Sequence, residues 1–311
     1  MINTILGSGG SVGNALAYEL INKNEKVRLV SRSGFSIPKT EIIKADLNSY
    51  NETLKSVENS DIVYLTVGLP YNSKIWDEKW MVIMENTINA CKKVGAKLIF
   101  FDNVYMYGKV NGEMTESTPY NPCSKKGEVR AKVATLLGSE MKKGNINAVI
   151  ARSADLYGPY TTKTSLPFIL AIDKLMNGKK AQWMLSDKTK HSFTYTIDSA
   201  KAMILLANNQ ESDNQIWHLP TYNPAITGKE FIELVAKELE VEPNYSVLKK
   251  WMVRMVGFFN NNVSEAYEML YQNEFDYNFN SNKFNDSFDF IPITYKEGIH
   301  ETIKHLTMNK N

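Results

Sequence analysis

The chain has little cysteine and almost no net charge. Only two of its 311 residues are cysteine, Cys91 and Cys123, and neither lies in a Cys-x-x-Cys motif or a Cys/His cluster. This spacing excludes a disulfide framework, gives no indication of a metal site, and fits a reducing compartment. We therefore expect a cytoplasmic protein without a bound metal.

Long apolar runs and basic runs are also missing. No window approaches the roughly 18 apolar residues of a membrane span. Residues 1–6 lack the charged segment followed by an apolar stretch that marks a secretory signal. The formal net charge of +2 is too small to attract a phosphate backbone. We expect neither nucleic acid nor a membrane as a partner.

Short apolar runs alternate with helical patterns through the first half of the chain. Strands are predicted at 2–6, 27–30, 42–44, 62–67, 97–101 and 148–151. Helices are predicted at 11–22, 50–58, 80–94 and 127–141. This alternation predicts an α/β fold whose parallel sheet is covered on both faces, with ligand-binding loops at the carboxyl ends of the strands.

The second half is less regular. Helices are predicted at 166–176, 198–207 and 229–239, and strands at 192–196 and 216–219. Thr227 is predicted to cap the third of these helices, with Glu230 at capping-box spacing. Residues 161–165 are predicted to form a polar loop, and 260–262 a loop or lid.

A glycine-rich turn joins the first predicted strand to the first predicted helix. It consists of Gly7, Ser8, Gly9, Gly10, Ser11, Val12 and Gly13. Gly7 would permit the tight turn, Gly10 the close approach of a pyrophosphate, and Gly13 close helix–strand packing. The amides and positive end of the helix would then face the anion. The spacing is Gly-x-x-Gly-x-x-Gly, and its position between strand and helix predicts a dinucleotide site.

The end of the second predicted strand indicates which dinucleotide is preferred. An acid there binds the ribose 2′-hydroxyl of NAD, whereas an arginine accommodates the 2′-phosphate of NADP. The residues present are Ser31, Arg32 and Ser33, with no acid. We expect a preference for NADP(H), with NAD(H) as the second choice.

Several motifs in order resemble the extended short-chain dehydrogenase/reductases, the NAD-dependent epimerase/dehydratase family. They are the glycine turn, Ala45-Asp46-Leu47, Thr66-Val67-Gly68, the segment from Asp102 to Tyr107-Gly108, Arg152 to Tyr157-Gly158-Pro159, and Asp198-x-Ala200. The resemblance implies that Asp46 and Leu47 lie at the adenine, and that Thr66, Val67 and Gly68 reach the cofactor.

The same resemblance implies a Rossmann-type doubly wound sheet with a smaller C-terminal substrate domain. We expect residues 1–157 to bind the dinucleotide, with 190–220 returning to that domain, and 158–189 with 221–311 to bind substrate. The family commonly acts on nucleotide sugars. Its members often dimerise through two helices, which would be 80–94 and 127–141 here.

The family's catalytic pattern is altered in this chain. No Tyr-x-x-x-Lys is present in the corresponding region, and Asn103 occupies the serine position. One register aligns Ser124-Lys125 with the family's Ser-Lys and puts Asn121 in the tyrosine place, next to Tyr120. A second register keeps the family's distance to Arg152, and puts Lys126 opposite the tyrosine and Arg130 opposite the lysine. We favour the second, in which Ser124 caps the helix.

In the second register Lys126 and Arg130 lie four residues apart on one helical face. One hypothesis makes Lys126 the acid/base, with Arg130 lowering its pKa and contacting the ribose, and Asn103 polarising a carbonyl. The alternative is that both cations only bind anions or lie at the surface. Tyr105 could supply a substitute phenol.

Four further residues are candidates for substrate binding: Tyr107, Asp155, Tyr157 and His191. His191 precedes a predicted strand at a point where enzymes acting on nucleotide sugars often carry arginine. Two functions remain open. The chain is either an NADP(H)-dependent oxidoreductase or epimerase-like enzyme with a rearranged acid/base set, or a cofactor-binding regulatory or redox-sensing protein without turnover. A nucleotide-sugar enzyme that recycles its cofactor is a third option.

Overall fold

A seven-stranded parallel sheet forms the centre of the computed structural model, which describes residues 1–161 and 165–308. The strands are β1 Ile2–Leu6, β2 Lys26–Ser31, β3 Glu41–Lys44, β4 Ile62–Leu65, β5 Lys97–Asp102, β6 Glu113–Met114, β7 Ala148–Arg152, β8 Asp155–Tyr157, β9 Ala181–Met184, β10 Lys190–His191, β11 Phe193–Tyr195, β12 Ile216–His218, β13 Ile226–Thr227, β14 Tyr245–Leu248 and β15 Asn278–Phe279. The central sheet has the order β12-β7-β5-β4-β1-β2-β3. The prediction of an α/β, Rossmann-type doubly wound parallel sheet is confirmed.

Helices cover both faces of this sheet. They are α1 Ser11–Asn22, α2 Tyr50–Val57, α3 Ser73–Val94, α4 Lys125–Lys142, α5 Asp173–Met176, α6 Thr196–Asn208, α7 Gly228–Glu238, α8 Lys250–Gly257, α9 Asn261–Tyr267, α10 Asn282–Ser287 and α11 Tyr295–Met308. A π-helical turn, Phe168–Ile172, precedes α5. None of the helices in the described residues is long and apolar enough to cross a bilayer.

The alternation of side chains along each strand builds two cores. In β1, Leu6 joins a core with α3 and α4, whereas its neighbour Ile5 joins a core with α1 and α6 on the opposite face. Both residues are fully buried. Strands β2 and β3 lie on one side of β1, and the chain then crosses over to place β4 on the opposite side of β1. The carboxyl ends of β1 and β4 therefore flank the point where strand order reverses, which is where open α/β sheets bind ligands.

Several boundaries differ from those predicted. Helix α3 begins at Ser73 rather than at 80, because the side chain of Asn72 accepts a hydrogen bond from the amide of Ile75 and caps the helix. The predicted capping box at Thr227 and Glu230 is confirmed, and so is Ser124 as the cap of α4. Helix α9 begins at Asn261, inside the run predicted as a loop or lid.

The C-terminal half adds a third core and several two-stranded sheets. Helices α7 and α11 pack with β9 and β11 around Phe231 and Tyr295. Strand β12 pairs with β7 in the central sheet. The division into 1–157 with 190–220, and 158–189 with 221–311, stays a prediction. Of the polar loop predicted at 161–165, residues 162–164 lie outside the described residues.

Candidate active site

The turn after β1 has a backbone that only glycine supports. Gly7 and Gly9 have φ angles of +97° and +92°. A Cβ atom on Gly7 would lie 2.6 Å from the Cα of Val67, and one on Gly13 would lie 3.1 Å from the carbonyl oxygen of Gly7. The expected roles of Gly7 in the tight turn and of Gly13 in close packing agree with this geometry.

The N-terminus of α1 is open. Its cap is Gly10, which has no side chain to accept from the first amides, and the first turn contains no acid. Helices α2, α3, α4 and α7 instead satisfy a first-turn amide with a Ser, Asn or Thr side chain. A Cβ on Gly10 would meet only the carbonyl oxygen of Gly7, at 3.6 Å. The free amides and the helix dipole are therefore available to an anion.

The Ser8 hydroxyl at the same turn is a second group that the described residues leave without a hydrogen-bond partner. Its side chain is buried, yet its Oγ has no hydrogen-bond partner among the described residues. Buried hydroxyls are normally paired, since an unpaired one loses its hydration without compensation. Ser8 therefore fits a ligand whose oxygens reach this turn.

The end of β4 forms the next part of the groove. Thr66 is buried and donates from its hydroxyl to the carbonyl of Leu6. Val67 packs against the core, and a Cβ on Gly68 would meet nothing within 4 Å. Ser11 and Val12 are the first two residues of α1, directly after the glycine turn. Backbone at Gly68 is thus open to a ligand that runs past the glycine turn.

The β2 and β3 ends shape the far side of the groove. The Ser31 Oγ accepts hydrogen bonds from the amides of Gly34 and Phe35, which folds the loop back and leaves Arg32 exposed. Asp46 accepts from the backbone and side chain of Asn48, and these bonds lower the pKa of its carboxyl, with a smaller contribution from Arg32. Leu47 beside it is buried. Among the described residues, no hydrogen bond or ion pair holds the exposed Arg32 guanidinium, whose charge acts on Asp46.

A buried ion cluster lies at the end of β5. Asp102 accepts from the Nε of Arg130 at 2.8 Å and from the Nε of Arg152 at 3.3 Å. All three side chains are at least 97% buried. The Arg130 guanidinium also lies 4.3 Å from the ring centre of Trp80. Asp102 thus holds two cations, and the charge of Arg130 is balanced by this carboxylate.

Tyr107 belongs to the same cluster. Its hydroxyl accepts from Arg152 at 2.7 Å and lies 2.8 Å from the Nε2 of His218. The Nδ1 of His218 faces the carbonyl of Asn280, so we assign the proton to Nδ1 and the acceptor role to Nε2. Burial lowers the pKa of His218 to about 3, which keeps the ring neutral. The Tyr107 hydroxyl is therefore engaged inside the protein.

Lys126 lies on the same face of α4 as Arg130 but has different partners. Its Nζ donates to the Glu265 carboxylate at 2.6 Å, to the Glu268 carboxylate at 2.7 Å and to the Glu265 carbonyl at 2.9 Å. These three bonds use all the donors of an ammonium group, and the side chain is fully buried. From the sequence we expect Arg130 to be the neighbour that lowers the pKa of Lys126. The charged groups that contact the Lys126 ammonium are instead the carboxylates of Glu265 and Glu268.

Glu265 also ties α9 to the start of α3. Its carboxylate accepts from the amide of Ser73 at 2.8 Å as well as from Lys126. Burial alone would raise the pKa of Glu265, but these hydrogen bonds hold it below its usual value. Helix α9 therefore closes over the N-termini of α3 and α4, beside the predicted catalytic positions.

Asn103 follows directly after β5. Its side chain is half-buried, and its Oδ1 accepts a hydrogen bond from the amide of Tyr105.

Four tyrosines surround Asp155 at the start of β8. They are Tyr71, Tyr105, Tyr271 and Tyr277. Burial raises the pKa of each phenol, and the negative charge of Asp155 raises it further. The Tyr277 hydroxyl is buried without a partner in the described residues, whereas the Tyr271 hydroxyl faces the Cys123 side chain. The cluster therefore has hydrogen-bonding capacity that the protein itself does not use.

His191 pairs with Asp155. Its Nε2 lies 3.0 Å from the Asp155 carboxylate, and its ring stacks on Tyr277 at 4.2 Å and on Phe193 at 4.7 Å. A small cavity opens next to the pair and is lined by Asp155, Leu166, Pro167, Leu170, Trp183, Met184, His191, Phe193 and Asn273. Tyr157, in contrast, is buried in the C-terminal core against Gly298. Asp155 and His191 therefore come together beside this cavity, and Tyr157 packs away from it.

Sequence reasoning missed the groups that the C-terminal half contributes. Glu265, Glu268, Tyr271 and Tyr277 carry no motif, and only the fold brings them to α4 and β8. The one available signal is a concentration of aromatic residues after Pro243. Among residues 1–161 and 165–308, no group of three or more His, Cys, Asp or Glu side chains could hold a metal ion.

Comparison with known sequences relates the chain to one family. The model of the NAD dependent epimerase/dehydratase family matches residues 4–219. A sequence search of curated proteins gives no match.

Solved structures with low sequence identity share the fold over the whole chain. The UDP-glucose 4-epimerase of Thermus thermophilus, in complex with NAD, is 17% identical, covers 99% of each chain and has a TM-score of 0.79. The dTDP-glucose 4,6-dehydratase of Bacillus anthracis, also with NAD, is 15% identical, with coverages of 100% and 97% and a TM-score of 0.81. The UDP-glucuronic acid 4-epimerase of Bacillus cereus with NAD is 16% identical, covers 100% of each chain and has a TM-score of 0.81. At these identities the likeness establishes the fold.

Proposed function

We propose that this chain, which belongs to the NAD-dependent epimerase/dehydratase family, is an NADP(H)-dependent oxidoreductase or epimerase-like enzyme acting on a sugar nucleotide or another small carbonyl or alcohol substrate. The observation that carries the proposal is the uncapped N-terminus of α1 at the point where strand order reverses. This point combines free amides, the helix dipole and a Ser8 hydroxyl that has no partner in the part of the chain that the structure describes.

These residues fit a dinucleotide in one continuous groove. The first amides of α1 would hold the pyrophosphate, and Asp46 with Leu47 would contact the adenine. Ser31 and Arg32 would hold the adenine ribose and its 2′-phosphate. Thr66, Val67 and Gly68 would lie along the nicotinamide half. When bound, the cofactor supplies hydride exchange with the substrate carbon.

The glycine turn gives a direct test of cofactor binding. We expect Gly10→Ala to weaken NADPH binding about 10- to 100-fold, the equivalent of one or two charge-assisted hydrogen bonds lost as the methyl group holds the pyrophosphate off the amides. The φ of Gly10, −85°, suits alanine, so the fold should persist. Titration of NADPH by calorimetry measures the change.

Gly138→Ala is the matched control. Gly138 lies within α4, and a Cβ there would meet nothing within 4 Å, so NADPH binding should stay unchanged. Equal affinity in the Gly10 and Gly138 variants would contradict a pyrophosphate site at this turn.

Arg32 decides the choice between NADP and NAD. The compared structures contain NAD, but the β2 end of this chain carries an exposed arginine and no acid. We expect Arg32→Ala to weaken NADP binding about 10- to 100-fold, from the loss of about 1.5–3 kcal/mol, and to leave NAD binding within about two-fold. Arg254→Ala, at an exposed position on α8, should alter neither. Tighter binding of NAD than of NADP by the unaltered protein would overturn the preference.

For the chemical step we propose a rearranged set of residues. Lys126 is the proton donor or acceptor, Asn103 polarises the substrate carbonyl, Arg130 contacts the ribose side, and Tyr105 is a second phenol at the same edge. The burial of Lys126 under Glu265 and Glu268 means that α9 must shift before Lys126 can reach a substrate. Closure of such a segment would exclude water from the site.

A second candidate function is a cofactor-binding regulatory protein without turnover. It is favoured by the three occupied donors of Lys126 and by the missing Tyr-x-x-x-Lys. The absorbance of bound NADPH distinguishes the two functions when aldehydes, ketones and nucleotide sugars are added. Oxidation of the cofactor supports the enzyme, and an unchanged spectrum with every class supports the regulatory protein.

We further propose a cytoplasmic homodimer. Sparse, free cysteines support the compartment. Residues 80–94 and 127–141 lie in α3 and α4, which pack side by side and could pair with the same helices of a second copy. Light scattering measures the oligomeric state.

A further inference from the structure

We infer that helix α8 and the two phenylalanines after it form a surface that docks on an anionic lipid membrane. This surface, the α8 apolar surface, consists of Trp251, Met255, Val256, Phe258 and Phe259, and each of these residues is between 52% and 92% exposed. The inference goes beyond the proposed function and does not depend on it, because it concerns a separate surface and a partner of a different class.

Helical spacing brings the apolar side chains to the outer side of α8. Trp251, Met255 and Phe258 follow one another at intervals of four and three residues, so they lie along one face of the helix. Phe258 still has helical backbone angles, with φ of −63° and ψ of −26°. On the inner side the helix buries Val253. An apolar stripe thus faces outward, where a helix of a soluble protein normally carries polar residues.

No hydrophobic core of the described residues includes the α8 apolar surface. Single exposed apolar residues are ordinary in soluble proteins, whereas a contiguous apolar patch marks a docking surface. This patch contains three aromatic rings, those of Trp251, Phe258 and Phe259. Tryptophan in particular suits a membrane interface, because its ring is apolar and its N–H remains able to donate to a polar group.

Basic residues border the apolar surface, and no acid lies in the same stretch of chain. Residues 243–264 contain Lys249, Lys250 and Arg254, and neither aspartate nor glutamate. Lys250 pairs with Glu274. Lys249 and Arg254 are exposed, and no hydrogen bond or ion pair holds their side chains among the described residues. Two cations without a counter-charge therefore stand beside the apolar surface.

The acids of the neighbouring helix do not neutralise these cations. Helix α9 packs against α8, and the acids of this segment are Glu265 and Glu268. Both carboxylates accept from Lys126, and they also accept from the amides of Ser73 and Lys125. These bonds turn both acids toward α3 and α4. The α8 apolar surface therefore has an excess of positive charge along its border.

An anionic lipid surface fits this combination better than a second copy of the chain does. Helices that lie in a membrane interface bury aromatic and aliphatic side chains at the acyl boundary and present lysine or arginine to the lipid phosphates. A two-fold contact between copies would place the patch on itself, so that Lys249 and Arg254 would face like charges without an acid between them. Charge complementarity therefore favours the lipid surface.

This inference differs from the expectation that the sequence gives for a membrane partner. From the sequence we expect none, because the net charge is only +2 and no long apolar run is present. Those two properties concern spanning helices and the attraction of the chain as a whole. A helix that lies on a membrane depends instead on a local apolar face with local cations, and α8 has both.

Cosedimentation of the full chain with lipid vesicles tests the inference. We expect binding to vesicles of phosphatidylcholine and phosphatidylglycerol mixed in equal parts. Binding to phosphatidylcholine alone should be at least about 10-fold weaker, since each cation near an anionic surface contributes about five-fold. Added salt should weaken binding to the mixed vesicles, because it screens this attraction.

Variants of the surface separate its apolar and charged parts. Phe258→Ser combined with Phe259→Ser should weaken binding to the mixed vesicles at least about 10-fold, because two exposed rings no longer enter the interface. Arg254→Glu should weaken it by about 10-fold or more through charge reversal. Ile291→Ser, at an apolar position that is 91% exposed elsewhere, and Lys237→Glu, at an exposed position on α7, are the matched controls and should bind normally.

Trp251 reports whether α8 itself enters the lipid. It is 64% exposed, whereas the other tryptophans, Trp76, Trp80, Trp183 and Trp217, are buried. Brominated phosphatidylcholine in the mixed vesicles should therefore quench fluorescence mainly from Trp251. Trp251→Phe should remove this quenching while part of the sedimentation remains. The quenching of the unaltered protein tests the inference even if a phenylalanine variant fails to fold.

Failure of the unaltered chain to sediment with the mixed vesicles would overturn the inference. Normal binding by the double phenylalanine variant, or the absence of bromine quenching, would do the same. Equal binding to both kinds of vesicle would overturn the choice of an anionic surface. Light scattering without vesicles detects the other occupant: a smaller particle in the double variant, without vesicle binding, identifies a contact between copies and overturns the lipid partner.

Discussion

Replacing Asp102 with alanine should lower the free energy of unfolding by about 3–5 kcal/mol, because it leaves two buried guanidinium groups without their carboxylate. Arg130 and Arg152 are both at least 97% buried. The hydroxyls of Tyr107 and Tyr120 still accept from Arg152, so part of its hydrogen bonding survives. Urea denaturation monitored by circular dichroism measures the change.

An exposed ion pair provides the control for Asp102. Lys74 and Glu78 lie 4.0 Å apart, one turn apart on α3, with most of each side chain in solvent. Glu78→Ala should change the stability by no more than about 0.5 kcal/mol. If Asp102→Ala and Glu78→Ala had similar small effects, the buried cluster would not be a main determinant of stability.

Replacing Lys126 with arginine should reduce kcat about 10²- to 10⁴-fold, the usual contribution of a positioned proton donor, since a guanidinium does not release its proton. Arginine can keep ion pairs with Glu265 and Glu268, so NADPH binding should change little. The unfolding midpoint is measured alongside, because the larger guanidinium enters a fully buried position. The assay follows NADPH absorbance with whichever substrate class oxidises it.

Lys125→Arg is the matched control, because Lys125 is the exposed neighbour on the same first turn of α4. It should leave turnover unchanged. Full activity in Lys126→Arg would remove the proton-transfer role and leave Lys126 as the residue that fastens α9. In that case Lys126→Met should make the α9 segment more sensitive to protease, because Glu265 and Glu268 lose their partner.

The glycine turn could be predicted in detail because its determinants are local. A glycine at 7 is required by a positive φ and by the approach of Val67, and both follow from a strand running directly into a helix. The Thr227–Glu230 capping box and the Ser124 cap could be predicted for the same reason, since a capping side chain accepts a hydrogen bond from an amide only three residues away.

The contacts of α4 could not be predicted to the same depth. Lys126 and Arg130 were correctly expected on one face of α4, but their partners come from residues far along the chain. Arg130 meets Asp102 on β5, and Lys126 meets acids 139 and 142 residues away. No periodic pattern marks such partners, so their pairing depends on how the C-terminal half packs against α4.

The sequence by itself determined the alternating strands and helices, the glycine turn and the arginine at the end of β2. Each of these follows from the conformational limits and charge of residues close together in the chain. Only the tertiary structure decided that α9 covers Lys126, that His191 pairs with Asp155, and that the Tyr277 hydroxyl beside them has no partner among the described residues. The physical reason is that burial and charge pairing between distant segments depend on packing of the whole chain, which the local sequence does not encode.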